Sequence, residues 1–291
     1  MKIRIGTRKS RLALIQTNMF ISAVNKVFPD IDTEIVDIVT KGDEITDIPL
    51  DKIGGKGFFT DAIENALLEN RIDFAVHSAK DMPSEETDGL CVSAVLERAS
   101  VNDVLIFRKG FSANGRIKIG TSSRRRTVGI LKIYPDAEIS DIRGNVDTRL
   151  NKLANGEYDG IILAAAGLER LGAFNDTRFD FITIDTATII PAPCQGIIAV
   201  QSRQGDYKEI LDAIKHSDTY CCFQTEREIL RLSDSGCSTP VGAVSYVSDG
   251  KIYISATADQ KNIICDSGDV SERFLIAERI VKQICPERFI L

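Results

Sequence analysis

The feature that most constrains this chain is its rhythm. From the N-terminus to about residue 216, short apolar runs alternate with longer amphipathic stretches. The runs predict strands at Lys2–Gly6, Thr33–Val39, Ile72–Val76, Leu90–Leu96 and Asp103–Phe107, then at Ile117–Gly120, Ala137–Asp141, Gly160–Ala164, Phe181–Ile184 and Ile197–Gln201. The amphipathic stretches predict helices at Arg11–Val27, Asp61–Glu69, Arg125–Lys132, Val146–Ala154 and Leu168–Leu171. A helix between strands returns the chain to the edge it left, so the strands pair largely in parallel and the class is α/β. The last quarter breaks the pattern. A helix over Thr219–Arg231 precedes strands at Val241–Val247, Lys251–Ala258 and Ile263–Ser267, and a helix over Ser271–Ile284 follows. The Asp249-Gly250 turn marks a hairpin, so this end reads as a small α+β domain with a three-stranded antiparallel sheet.

The α/β part is too long for one such sheet. A break at Glu97–Asn102 falls between two adjacent strands, and Pro191-Ala192-Pro193 supplies a return. Two crossovers of this kind give two doubly wound lobes with a cleft between them, a periplasmic-binding-protein-like layout. The expected domains are 1–98 with 194–216, then 99–193, then 217–291. Hydrophobic residues at 43% and charged residues at 27% exclude wholesale disorder. No apolar run approaches the ~18 residues of a membrane helix. The 42 acidic residues outnumber the 36 basic ones, which argues against a general nucleic-acid binder. Any anion site is therefore a local concentration of positive charge on an acidic body. The N-terminus enters a strand at once with no apolar leader, and the seven cysteines are an odd number; both point to reduced thiols in the cytoplasm.

In open α/β sheets, ligands gather beyond the carboxyl ends of the strands. Here those ends carry Thr7-Arg8-Lys9-Ser10, His77-Ser78-Ala79-Lys80-Asp81, Thr121-Ser122-Ser123-Arg124-Arg125-Arg126 and Arg143-Gly144-Asn145, with Arg149 a turn later. Hydroxyls and N–H groups at helix starts favour anions, and arginine offers a planar fork to carboxylates. The implied ligand is polyanionic. The arginine run alone does not imply nucleic acid, because three consecutive helical residues point three ways and the chain has no tryptophan to stack on bases. Asp51 to Thr60 holds Lys52, Lys56, three glycines and Phe59, without P-loop spacing. The stretch Ile45–Gly57 is expected to act as a lid over an anion site.

Asp81 is the one carboxylate in the cationic set. It either holds positive charge developing on a substrate or pairs with a neighbouring cation. No metal is expected: there are two histidines and no Cys-x-x-Cys pair, and His77 reads as a hydrogen-bonded structural residue. Cys237 stands apart from the cysteines in predicted strands and helices. Its turn, Ser235-Gly236-Cys237-Ser238-Thr239-Pro240, leaves a thiol open to covalent attachment. Arg203, just past a strand, reads as a surface cation.

Five segments together resemble the porphobilinogen deaminase (hydroxymethylbilane synthase) family: Gly54-Gly55-Lys56-Gly57-x-Phe59, His77-Ser78-x-Lys80-Asp81-x-Pro83, Gly120-Thr121-Ser122-Ser123-x-Arg125-Arg126, Arg143-Gly144-Asn145-Val146-x-Thr148-Arg149-Leu150 and Gly236-Cys237-x-x-Pro240. The resemblance runs in order from Ile5 to about Gly242 and weakens beyond. It implies a cytoplasmic, monomeric transferase of tetrapyrrole (porphyrin and haem) biosynthesis. Such an enzyme joins four porphobilinogen molecules head to tail into hydroxymethylbilane and releases ammonia. It implies a dipyrromethane cofactor held by a thioether to Cys237, and a catalytic carboxylate at Asp81. The resemblance assigns cofactor binding to Ser78, Lys80, Thr121, Ser122, Ser123, Arg125, Arg126, Arg143 and Gly144. It assigns substrate binding to Arg8, Ser10, Lys52, Lys56, Phe59, Arg149 and Arg170. No metal, nucleic acid, membrane or obligate protein partner is implied.

Three positions depart from the pattern. Arg124 stands where a leucine is usual and is expected to face solvent. Lys41 replaces an arginine in Thr40-Lys41-Gly42-Asp43. Cys194 replaces a small residue in the Pro-Ala-x-x-Gln-Gly stretch and adds a second thiol to watch. A solute-binding protein shares the two-lobed layout, but it has no need of a covalently loaded thiol.

Overall fold

The computed structural model describes residues 1–40, 60–112, 115–233 and 239–289. In chain order its strands are β1 (Lys2–Thr7), β2 (Asp32–Asp37), β3 (Phe74–Ser78), β4 (Leu90–Val95), β5 (Asp103–Arg108), β6 (Lys118–Gly120) and β7 (Glu138–Ser140). They continue with β8 (Gly160–Ala164), β9 (Phe179–Thr183), β10 (Ile198–Arg203), β11 (Gly242–Ser248), β12 (Lys251–Thr257) and β13 (Ile264–Asp269). The helices are α1 (Arg11–Val27), α2 (Asp61–Leu68), α3 (Arg124–Ile133), α4 (Val146–Ala154), α5 (Ala165–Leu171), α6 (Lys208–Ile214), α7 (Ser217–Leu232) and α8 (Arg273–Ile284). None of these is long and apolar enough to cross a membrane.

The chain divides into two compact units, residues 1–99 with 197–223 and residues 100–196 with 224–291. The first holds a five-stranded sheet in the order β2-β1-β3-β10-β4. Phe20 and Val24 of α1 and Leu211 of α6 pack with Ile3, Ile5, Phe74, Ile198 and Val200 on one face. Ile63, Ala66 and Leu67 of α2 pack with Ile72, Ala75 and Leu90 on the other. Burial on both faces leaves the central strands β3 and β10 almost wholly buried, whereas the edge strand β2, Asp32–Asp37, stays largely exposed.

The second unit holds a five-stranded sheet in the order β7-β6-β8-β5-β9. Its central β5 sends Val104 and Ile106 into a core with Ile161, Leu150, Leu153 and Leu168. Leu105 and Phe107 go into an opposite core with Ile119, Ile130 and Ile162. The same unit carries the antiparallel sheet β11-β12-β13. Ala243, Ile252 and Ile254 of that sheet pack against Ile276, Ile280 and Val281 of α8 and Ile229 of α7. Asp249 and Gly250 both take positive φ, 51° and 74°, as the predicted hairpin turn requires.

Four details differ from the sequence reading. Strands β5 and β10 run antiparallel to both of their neighbours. Each enters directly from a crossing with no intervening helix, so nothing returns the chain to a parallel pairing. Strand β3 runs two residues later than expected, because β10 pairs with it as far as Ser78; His77 and Ser78 therefore lie in the strand. Helix α6 is absent from the reading, since its seven residues begin after Tyr207 in a left-handed conformation. Arg203 is not a surface cation: it is anchored to Leu67 O at 2.7 Å, Ile72 O at 2.9 Å and the Asp206 carboxylate at 2.8 Å.

Candidate active site

In the first unit, β1 and β3 are parallel neighbours with Ile5 opposite Phe74, which brings their carboxyl ends side by side. Past β1 come Arg8 and Ser10, and Ser10 caps α1 by accepting from Ala13 N at 3.3 Å. At the end of β3, Ser78 Oγ accepts from Gln16 Nε2 of α1 at 2.8 Å. Lys80 and Asp81 follow in a single 3-10 turn, Ala79–Asp81, with Lys80 half-buried and Asp81 exposed. Arg8, Ser10, Gln16, Thr60, His77, Ser78 and Asp81 line a concavity of about 90 Å³. Thr60 Oγ1 is buried there with no hydrogen-bond partner among the described residues.

A buried chain of hydrogen bonds backs this concavity. Thr87 Oγ1 donates to Glu64 Oε2 at 2.8 Å, and Gln201 Nε2 donates to Glu64 Oε1 at 2.9 Å. That fixes Gln201 Oε1 toward His77 Nε2, 3.1 Å away. An amide oxygen only accepts, so Nε2 carries the proton and Nδ1 is the imidazole's acceptor. Burial depresses the His77 pKa, outweighing the opposing pull of Gln201, Glu64 and Asp81, and the ring is neutral. His77 is thus the hydrogen-bonded structural residue that the sequence suggested.

In the second unit, β6 and β7 are parallel and end together at Gly120 and Ser140. The loops beyond them are tied to each other. Thr121 N donates to Ser140 O at 2.9 Å. Ser122 Oγ donates to Ile142 O at 3.0 Å and accepts from Ile142 N at 3.2 Å, so its hydroxyl braces the two loops. Ser123 caps α3, accepting from Arg126 N, and Asn145 caps α4, accepting from Thr148 N at 2.9 Å. Gly144 has φ +106°, and a Cβ there would lie 2.6 Å from Thr148 Cγ2, so the turn into α4 admits only glycine. Two helix N-termini, each a partial positive charge with orphan N–H groups, thus stand at adjoining strand ends. Arg143 and Arg149 lie half-buried there, and Arg149 Nε donates to Gly144 O at 2.8 Å. Arg124 is exposed, as expected.

Arg125 and Arg126 turn inward. Arg126 holds Asp103 Oδ1 through Nη2 at 2.7 Å and Nε at 3.1 Å, and donates through Nη1 to Ile162 O at 3.1 Å. Arg125 Nη1 lies 2.7 Å from Asp103 Oδ2, an ion contact without aligned hydrogen-bond geometry, and donates to Ile190 O at 2.9 Å. Gln195 Nε2 adds a bond to Asp103 Oδ1 at 3.0 Å and one to Val101 O at 2.7 Å, stitching together the two chain crossings. Asp103 is wholly buried. Burial pushes its carboxyl up, but the charges of Arg126 and Arg125 outweigh that and hold it far below the usual carboxylate range. Burial lowers Arg125 too.

Arg170, on the last turn of α5, donates through Nη2 to Gly196 O at 2.6 Å. Its Nε is buried without a partner among the described residues, and burial lowers its pKa to about 10. Cys194 is buried in a left-handed conformation, φ +62°, and its N donates to Glu226 Oε2 at 2.6 Å. Lys52, Lys56, Phe59, Lys41, the expected lid Ile45–Gly57 and Cys237 lie outside the described residues. Among the described residues no group of three metal-ligating side chains gathers.

The sequence reading missed Asp103, Gln195, Gln16, Thr60, Gln201 and Glu64. Asp103 carried one signal, a lone carboxylate opening a run of four apolar residues, Val104-Leu105-Ile106-Phe107. A charge at the head of a buried strand needs a buried partner.

Each unit thus contains an α/β sheet with hydroxyls, helix starts and basic side chains beyond its strand ends. Residues 3–211 match the profile of the family described as "Porphobilinogen deaminase, dipyromethane cofactor binding domain". The chain is 39% identical over 290 residues to a porphobilinogen deaminase of Ruminiclostridium cellulolyticum, covering 97% of each. It is 43% identical to one of Acetivibrio thermocellus over 90% of this chain and 89% of that one, and 45% identical to one of Rickettsia bellii over 86% and 85%. Among solved structures it is similar to a periplasmic sulfonate-binding protein of Methylobacillus flagellatus, at 15% identity and a TM-score of 0.41, over 78% of this chain and 67% of that one. The chain belongs to the porphobilinogen deaminase family, transferases that polymerise porphobilinogen into hydroxymethylbilane in tetrapyrrole biosynthesis.

Proposed function

We propose that the chain carries dipyrromethane on a thioether to Cys237 and uses Asp81 as its catalytic carboxylate. Four porphobilinogen molecules and one water become hydroxymethylbilane and four ammonia. In each addition the aminomethyl C–N bond breaks, and the amine leaves as ammonia with an added proton. The electron-deficient methylene carbon then takes an electron pair from a pyrrole α-carbon, which loses its proton as the C–C bond forms. Dipyrromethane, when bound, supplies the first such α-carbon. Asp81, exposed beside Ser78 and Arg8, stabilises the positive charge left on the departing unit's ring.

The donor set of the second unit carries this reading. Every pyrrole brings an acetate and a propionate. Against them stand two helix N-termini, Arg143, Arg149, and Arg170 with its buried Nε unpartnered among the described residues. Such a set fits a group that accumulates carboxylates. Thr121, Ser123, Arg143, Gly144, Ser78 and Lys80 receive the cofactor. Ser122, Arg125 and Arg126 support it by bracing the loop that carries them. Arg8, Ser10, Lys52, Lys56, Phe59, Arg149 and Arg170 receive the incoming substrate. On this reading the protein works in the cytoplasm as one chain of three domains, 1–98 with 194–216, 99–193 and 217–291, without metal, nucleic acid or a protein partner. The test is intact mass. Purified protein is expected to exceed the bare chain by one dipyrromethane. Cys237→Ser should lack that mass and activity, and Cys194→Ser should keep both. Unmodified mass in active wild-type protein would sink the assignment.

A further inference from the structure

We infer that Gln260 is a positioning residue for the segment that bears the attachment cysteine. This rests on the reading of Cys237 given above. Gln260 sits between β12 and β13, is 1% exposed, and has φ +59°. A left-handed conformation is unfavourable for a residue with a Cβ, and the side-chain bonds of Gln260 help to hold it there. Those bonds are specific. Oε1 accepts from Ile190 N at 2.9 Å, while Nε2 donates to Ile190 O at 3.3 Å and to Pro240 O at 3.2 Å. The amide thus takes both polar groups of Ile190, as a neighbouring strand would, and extends the grip to Pro240, three positions after Cys237 in the sequence.

The other end of this chain of bonds is the arginine cluster, since Ile190 O also accepts from Arg125 Nη1 at 2.9 Å. Next along the chain, Ala243 N donates to Pro191 O at 3.0 Å. Gly242 closes the gap: a Cβ there would lie 2.6 Å from Gln260 Nε2 and 2.7 Å from Ile190 O. One peptide unit, Ile190, therefore meets Arg125 on one side and, through Gln260, Pro240 on the other. The function of Gln260 is to fix Pro240, which follows Cys237 closely in the sequence, against Ile190 while the cofactor is installed.

The test uses full-length chain made without porphobilinogen. Gln260→Gly removes both the strain and the side chain; Gln260→Met keeps the length and loses the amide. Gln283→Ala, exposed on α8, is the control. Three quantities are measured: the melting temperature, the rate at which the protein gains dipyrromethane mass when given porphobilinogen, and the alkylation rate of Cys237. Both Gln260 variants lose all three side-chain bonds and should fold and gain mass at least roughly tenfold more slowly than wild type. Cys237 should alkylate at least as fast as in wild type. A merely structural role would lower the melting temperature and leave loading, followed well below it, unchanged. Loading at the wild-type rate in both variants overturns the proposal. So does slower alkylation, which would mean a rearranged thiol, or failure of both variants to fold, which would make Gln260 a packing residue. If wild type itself gains no mass, the reading of Cys237 fails first and this proposal falls with it.

Discussion

Replacing Asp103 with asparagine is the most demanding test of the second unit. The carboxylate is wholly buried and meets Arg126 at 2.7 and 3.1 Å, Arg125 at 2.7 Å and Gln195 at 3.0 Å. Asparagine keeps the volume and one acceptor but leaves two buried guanidinium charges uncompensated. Removing one partner of a buried pair costs about 3–5 kcal/mol, and the retained acceptor puts this case near the lower bound. At roughly 2–4 °C per kcal/mol for a unit of this size, the melting temperature should fall by about 10 °C. Acid titration gives a second reading. The folded carboxyl titrates below its unfolded value, so its stabilisation is fully present above about pH 4 and is lost as pH falls toward the folded value. Asp103→Asn should therefore flatten the acid limb of the melting curve. Replacing all three charges with apolar residues (Asp103→Leu, Arg125→Met, Arg126→Leu) should recover much of the lost stability without recovering cofactor loading. A fall of less than about 3 °C, with the acid limb intact, would refute the buried-charge argument.

Asp81→Asn should melt near wild type, because the residue is exposed, while single-turnover ammonia release from protein of confirmed mass slows about 10²–10³-fold; a near-normal rate would remove Asp81 from the chemistry. Arg126→Leu and Arg149→Leu should separate by class of effect, the first lowering the melting temperature and the second chiefly weakening substrate capture; matching losses of stability would contradict the half-buried placement of Arg149. For His77, burial lowers the folded pKa, so its contribution is complete above about pH 6.5 and declines as pH drops toward the folded value; His77→Gln should lessen the slope of melting temperature across that window, and an unchanged slope would place the titration elsewhere. At Cys194, with φ +62°, Val should destabilise by about 1–2 kcal/mol more than Gly in thermal melts, since a β-branched residue tolerates that conformation least; equal melts would show that the backbone has relaxed.

Much of the fold was legible because its signals are local. Helices α1 and α4 keep the predicted bounds, Arg11–Val27 and Val146–Ala154, each held at its start by the residue directly before it, Ser10 and Asn145. The strand-end loops were legible for the same reason, as each hydroxyl or arginine follows its strand directly. What escaped depends on pairing between distant residues. The antiparallel insertion of β10 set the end of β3, and nothing within Ile72–Val76 announces a partner some 120 residues away. Arg203 looked like a surface cation because its acceptors, Leu67 O and Ile72 O, are backbone atoms of another segment. Arg125 and Arg126 looked like two free forks for the same reason: their charge is answered by Asp103, 22 and 23 positions earlier.

That last pairing changes how positive charge is distributed over the site. Asp103 faces two guanidiniums, so the cluster keeps one net positive charge but offers it through the body of α3 and not through a free fork. On the proposed reading, carboxylates are met on the second unit by the starts of α3 and α4 with Arg143, Arg149 and Arg170, and on the first by Arg8 and Lys80. Helix N-termini and caps are fixed by the fold, so they pay little conformational entropy to bind, whereas long side chains must be ordered for each new ring. A chain that grows by one pyrrole at a time needs both kinds of receptor. On the proposed reading the first rings stay through every addition, which suits the rigid helix starts. On the same reading, later rings bring further carboxylates to Arg149 and Arg170. The inward pair holds the start of α3 against Asp103, Ile162 and Ile190, and on the proposed reading that keeps the rigid half of the site in place as charge accumulates.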